Sequence, residues 1–203
     1  MMMSDRVEAI VHLNHLWHNY QILQKIHHEK QVMAVVKADA YGHGAKEVGQ
    51  FLSQKGCQYF AVTELFEAIE LRKAGIEDLI LILGKTTIEH IPMIHEYHLV
   101  QTIDSLDYAK QINDLNIPID FHMIIDTAMS RFGIYCHQEI DLDQTIDEVI
   151  QISQLPNLTM TGFYTHFACT DETDDQLTLK QFYLFQTLIK RLEGKGLNLG
   201  IKH

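Results

Sequence analysis

Short apolar runs alternate with amphipathic stretches along this chain. The runs fall at residues 33–36, 59–62, 79–83, 99–102, 119–125 and 158–166. Between them lie helical patterns. Leu13, Leu16, Tyr20 and Leu23 recur at spacings of three and four, and so do Phe182, Phe185, Ile189 and Leu192. Each set makes one apolar stripe at the helical period. Thr63 and Asp104 stand where N-caps belong, and Gly75 where a helix stops. Continuous apolar strands alternating with helices imply a parallel sheet covered by helices. Two architectures satisfy that pattern, a β/α barrel and an open doubly wound sheet. An early strand-like run at 7–13 precedes the first helix. No Pro/Gly/Ser-rich linker or repeat divides the chain, so residues 1–203 are expected to form one domain. After a helix stop at Gly194 and Gly196, residues 197–203 read as the opening of another strand. A β/α barrel needs eight strands to close. The expectation is therefore an incomplete, truncated barrel.

Composition narrows the function. At 203 residues the chain can bury a sizeable core. A net charge of −11 disfavours nucleic acid or an anionic membrane as partner, although a local pocket can still take an anion. Cys57, Cys136 and Cys169 form no C-x-x-C and leave an odd count, which argues against disulfides and zinc. No apolar signal core opens the chain and no run approaches a membrane span, so a cytoplasmic location is expected.

Lys37 ends an apolar run and is followed by Ala38-Asp39-Ala40-Tyr41-Gly42-His43-Gly44. In parallel β/α proteins the strand C-termini open onto the ligand face. A lysine there can be partly desolvated, which makes its amine a usable nucleophile or base. The glycines allow close backbone approach to a phosphate at a helix N-terminus. Taken alone, this pattern fits a loop lysine beside a tight turn equally well.

Three segments resemble alanine racemases. The stretch from Val35 to Gly44 is similar to their motif for attaching pyridoxal phosphate (PLP). Asp126-Thr127-Ala128-Met129-Ser130-Arg131-Phe132-Gly133 resembles Asp-Thr-Gly-Met-x-Arg-x-Gly. The stretch from Gly162 to Glu172 resembles Gly-x-x-Thr-His-Phe-Ala-x-Ala-Asp-Glu. The resemblance implies an incomplete (β/α)8 barrel of the TIM type, from a PLP-dependent isomerase that interconverts L- and D-alanine for cell-wall synthesis. It implies that Lys37 carries the cofactor and serves as one catalytic base. Tyr41 would contact the phosphate, Arg131 the phenolic oxygen and the substrate carboxylate, and His166 the pyridine ring. It further implies a homodimer, with a second catalytic tyrosine from the partner's C-terminal β domain, and further cofactor contacts that would follow His203. The chain taken alone is accordingly expected to be impaired.

The match departs from the pattern at two places. Ala128 replaces a glycine, and Ile124 sits where many members carry a carboxylated lysine that orients the arginine. Two other readings compete, a non-racemising PLP carrier and a non-enzymatic remnant. Remaining polar clusters read as solvated faces. His27-His28 and the pair His95 and His98 lack further metal ligands. The acidic run 171–175 lacks calcium-loop spacing and precedes a helix whose N-terminus favours acids.

Overall fold

The computed structural model describes residues 9–26 and 30–203, which fall into two compact units divided between Ile80 and Leu81. His27-His28 and the start of the run at 7–13 lie outside the described residues. Of that run, residues 9–12 take no strand, and Leu13 already begins a helix.

The first unit contains α1 (Leu13–Ile26), β1 (Ala34–Val35), α2 (Ala45–Gln54), β2 (Tyr59–Val62) and α3 (Leu65–Lys73). β1 and β2 pair in parallel, with Ala34 opposite Phe60 and Val35 opposite Ala61. Phe60, Ala61 and Val62 are fully buried. The stripe predicted on α1 is only partly covered, since Tyr20 is buried but Leu23 is 49% exposed. The N-cap of α3 is Glu64, not Thr63. The Glu67 carboxylate, in the first turn, accepts from the N–H groups of both Thr63 and Glu64, which moves the start one residue on. Gly75 ends the helix as expected, at a φ of 88°.

β3 (Leu79–Ile82) leads into the second unit, which adds α4 (Ile91–Glu96), β4 (Val100–Ile103), α5 (Leu106–Asn113), β5 (Ile119–Asp126), β6 (Ile134–Tyr135), α6 (Leu142–Ser153), β7 (Leu158–Thr165), α7 (Gln176–Gly194) and β8 (Ile201–Lys202). The order here is β3-β4-β5-β7-β8, with β6 against the end of β5, and every pairing is parallel. The cap of α5 is Ser105, whose hydroxyl accepts from Tyr108 N–H; Asp104 instead pairs with Lys85 at 3.0 Å.

The two faces of this sheet differ in chemistry. Phe163 stacks on Phe185 of α7, ring centroids 5.3 Å apart, so its face is the one packed on helix. Thr102, His122 and Gly162 occupy one register row on the opposite face. A register shift between Phe121 and His122 brings Gly162 into that row. Tyr164 follows Gly162 by two residues and points the same way.

Candidate active site

The lysine site is built on a reversal of backbone handedness. β1 continues one step further, as Val36 N–H donates to Ala61 O at 2.9 Å, and Lys37 comes next. Ala38, Asp39, Ala40 and Tyr41 then take φ values of 49°, 54°, 51° and 56° with ψ between 39° and 53°. This is a left-handed turn of four non-glycine residues. Such geometry costs roughly 1–2 kcal/mol per residue for L-amino acids, so surrounding bonds must hold it. Ala40 N–H donates to Val36 O (3.0 Å) and Gly44 N–H to Asp39 O (2.9 Å). Ala38 N–H donates to Glu67 Oε1 (2.6 Å), and His43 Nδ1 lies 2.8 Å from Ala40 O.

Lys37 is half-buried at this strand end, its Nζ 6.0 Å from the ring centroid of the exposed Tyr41. The helix N-terminus expected to face an anion is partly occupied from within. Asp39 Oδ1 accepts from Ala45 N–H, the first amide of α2, at 2.7 Å. Sequence reasoning gave no role to Asp39 and missed Glu67, which braces the turn from α3. The signal for Glu67 was the capping-box position, three residues after a cap.

In the second unit, Arg131 and His166 follow the neighbouring strands β5 and β7. Asp126 organises the arginine loop. Its Oδ1 accepts from Ala128 N–H (3.0 Å) and Ser130 N–H (2.9 Å), and its Oδ2 lies 3.3 Å from His137 Nε2. Ala128 and Ser130 have φ values of 92° and 58°. The family pattern has glycine at the first of these. Gly133 is confined: a Cβ there would lie 2.8 Å from Asp126 N. Arg131 is exposed, its Cζ 5.8 Å from the Phe132 ring centroid. Ile124 is buried, so an apolar side chain fills the carboxylated-lysine position.

His166 is exposed, and its loop is tied to α7 by a buried glutamine. Gln181 Oε1 accepts from Ala168 N–H (3.0 Å), while Nε2 donates to His166 O (3.4 Å) and Thr127 Oγ1 (3.3 Å). Thr127 and Thr165 join the ends of β5 and β7 through their hydroxyls at 2.7 Å. Beneath them Tyr164 Oη meets Thr102 Oγ1 at 3.0 Å. Burial holds the Tyr164 hydroxyl well above the ordinary phenol range, while the bond to Thr102 and the positive charge of Arg131 act the other way.

Elsewhere, His95 Nδ1 lies 3.0 Å from Pro118 O, and no metal-binding group of His, Cys, Asp or Glu was found among the described residues. No described helix is long and apolar enough to cross a membrane.

Parallel β/α units, with Lys37 following β1 in the first unit and Arg131 and His166 following β5 and β7 in the second, define a class, proteins of the parallel β/α type. Comparison with known proteins makes the class specific. Residues 11–203 match the family model "Alanine racemase, N-terminal domain", and the chain belongs to that family. It is 34% identical to alanine racemase 1 of Clostridium acetobutylicum over 201 residues, covering 97% of this chain and 51% of that protein. It is 40% identical to the serine/alanine racemase of Enterococcus gallinarum over 192 residues, 93% of this chain and 26% of that protein. The solved alanine racemase of Clostridium difficile 630, in complex with cycloserine, matches with a TM-score of 0.84 at 33% identity. That match covers 94% of this chain and 52% of the other. The fold class is thus the expected incomplete parallel β/α barrel. The chain spans about half the length of the alanine racemases it matches.

Proposed function

We propose that residues 1–203 are an N-terminal barrel portion of a PLP-dependent alanine racemase, with Lys37, Tyr41, Arg131 and His166 as its site residues. The observation that carries the reading is Lys37 itself. It stands at a strand end, half-buried, in a strained turn braced by Glu67 and by a bond to Val36, inside the family's attachment motif. Strain of this kind persists where surrounding structure over-determines it, and it concentrates at functional sites.

The donor set fits PLP. An aldehyde needs a primary amine, and Lys37 is one. Phenolate and carboxylate oxygens suit the guanidinium of Arg131. A flat heteroaromatic ring suits the imidazole of His166. When bound, PLP supplies an electron sink that stabilises negative charge at the substrate's α-carbon. Lys37 would hold the cofactor until the substrate's amino group took its place there, and the freed Nζ would then take a proton from one face of that carbon, or return one. Arg131 would hold the substrate carboxylate and so fix which bond faces Lys37. Inversion needs a second acid–base group on the opposite face, and we assign that to a partner copy, as the resemblance implies. Alanine is the substrate proposed, because the named relatives are alanine racemases. The serine/alanine racemase match keeps serine as the competitor to test.

The test is chemical. The purified chain is mixed with PLP, reduced with borohydride and digested, and the modified peptide is mapped. Label at Lys37 that disappears in Lys37→Ala is expected. Label confined to other lysines, or equal labelling of the variant, would remove the site assignment.

A further inference from the structure

A polar row lies on the sheet face turned away from Phe163 and α7. At its centre is His122, whose side chain is fully buried on β5. Its Nδ1 lies 2.8 Å from Nε2 of His203. The His203 ring also stacks on Tyr164, centroids 4.6 Å apart and planes within 7°. The backbone of His203 is fixed as well, donating to Phe163 O (3.1 Å) and accepting from Thr165 N–H (3.2 Å). The room for His122 comes from Gly162. A Cβ at that position would sit 2.5 Å from three atoms of the His122 ring. This explains the glycine that opens the third family-like segment: it is a steric vacancy for a histidine on the next strand.

The pair also reveals where its protons are. His122 Nε2 is buried and has no hydrogen-bond partner among the described residues. A buried N–H without an acceptor is more costly and rarer than a lone pair without a donor. The proton of His122 therefore belongs on Nδ1, where it can be donated to His203 Nε2. A neutral His203 that accepts at Nε2 must carry its own proton on Nδ1. Burial pushes His122 down to about 3, and desolvation lowers His203, exposed as a whole residue, to about 4, so both rings are neutral near pH 7.

We infer that His122 is a positioning residue that fixes the tautomer of His203, making the His203 ring an Nδ1–H donor at the end of β8. Free histidine prefers its proton on Nε2, so the assignment is opposite to the intrinsic bias. The donor's use rests on the function proposed above. The strand ends of this sheet carry Arg131 and His166, and a fixed N–H beside Tyr164 adds an oriented donor for an anionic or oxygen-bearing ligand there. Such orientation by a neighbouring bond is the usual way a protein sets which imidazole nitrogen is protonated.

The experiment is long-range 1H–15N correlation on the full chain with labelled histidine, in the wild type and in His122→Asn, His122→Phe and Gly162→Ala. Asparagine can place its amide near the Nδ1 position and donate; phenylalanine fills the space and cannot. The expected result is a pyrrole-like Nδ1 and pyridine-like Nε2 at His203 in the wild type, kept in His122→Asn and lost in His122→Phe. Gly162→Ala should disturb both rings. A wild-type His203 protonated on Nε2 overturns the inference, and so does an unchanged signature in His122→Phe. Should the phenylalanine variant fail to fold, the wild-type and asparagine spectra still decide. PLP affinity is measured in parallel by absorbance titration, with about a tenfold loss expected in His122→Phe and little in His122→Asn. Equal affinity in all three overturns the link to the ligand while leaving the tautomer result. Failure of the wild type to take PLP at Lys37 instead overturns the proposed function.

Discussion

Replacing Gln181 by leucine tests how the histidine loop is held. The side chain is 1% exposed and makes three hydrogen bonds, to Ala168 N–H, His166 O and Thr127 Oγ1. Leucine has similar bulk and can stay buried, so the change removes bonds rather than volume. An intramolecular hydrogen bond contributes about 0.5–1.5 kcal/mol net, and a buried group left unpartnered costs about 1–3 kcal/mol. Two of the three bonds are long, at 3.3 and 3.4 Å, and Thr127 keeps Thr165 as a partner. The short bond to Ala168 N–H therefore dominates. Leucine recovers part of the loss through apolar burial, which leaves about 2 kcal/mol of net destabilisation. Urea denaturation measures it. Native-state hydrogen exchange localises it, since the Ala168 amide should exchange faster by more than the amides inside β5 do. A variant within 0.5 kcal/mol of wild type, with exchange at Ala168 unchanged, would show that the loop does not depend on α7.

Three further outcomes follow from the same geometry. Ala128→Gly should stabilise the chain by about 0.5–1 kcal/mol in thermal denaturation, because alanine at a φ of 92° is strained and glycine is not; destabilisation would contradict this. Glu67→Gln should cost about 1–2 kcal/mol and lower trapping of PLP at Lys37 several-fold, since an amide cannot accept from Ala38, Thr63 and Glu64 as a carboxylate does; unchanged trapping would separate the brace from the lysine. His122 titrates near 6.5 when unfolded and near 3 when folded. The unfolded chain therefore binds the extra proton, and wild-type stability should fall as pH drops from about 6.5 toward about 3, by up to about 1.4 kcal/mol per pH unit. His122→Asn should flatten that slope in urea titrations at stepped pH, and an identical slope would refute the assignment.

The strands were legible because parallel strands covered on both faces become unbroken apolar runs. Residues 59–62 were placed to within a residue for that reason, and 158–166 likewise, although there apolar positions are interleaved with Thr159, Thr161 and Thr165. Helix starts were less legible. Thr63 and Asp104 have the chemistry of caps, but the position was decided by Glu67 and by Ser105. The apolar stripe on α7 was read from Phe182, which is 41% exposed. The buried face starts one residue earlier, at Gln181, and continues through Leu184, Phe185 and Leu188. A polar residue at the head of an i, i+3, i+4, i+7 series was the available sign that it served another segment. Lys37, Arg131 and His166, the residues proposed for the site, were singled out by their motifs. The partners that hold these segments were not, since Glu67 lies 29 residues from Ala38, and Gln181 lies 13 from Ala168 and 15 from His166.

The turn after Lys37 has the handedness that D-amino acids adopt without effort. A ribosome cannot supply them, and the one achiral residue it offers would leave the turn without what three of its side chains do. Asp39 must cap α2, Ala40 fills a buried position, and Tyr41 lies within 6.0 Å of the lysine amine. The chain thus builds a mirror-image segment from residues of one chirality. Synthesis with D-alanine at positions 38 and 40 would remove the chiral mismatch there and leave Asp39 and Tyr41 in place, so the strain could be separated from the chemistry it surrounds.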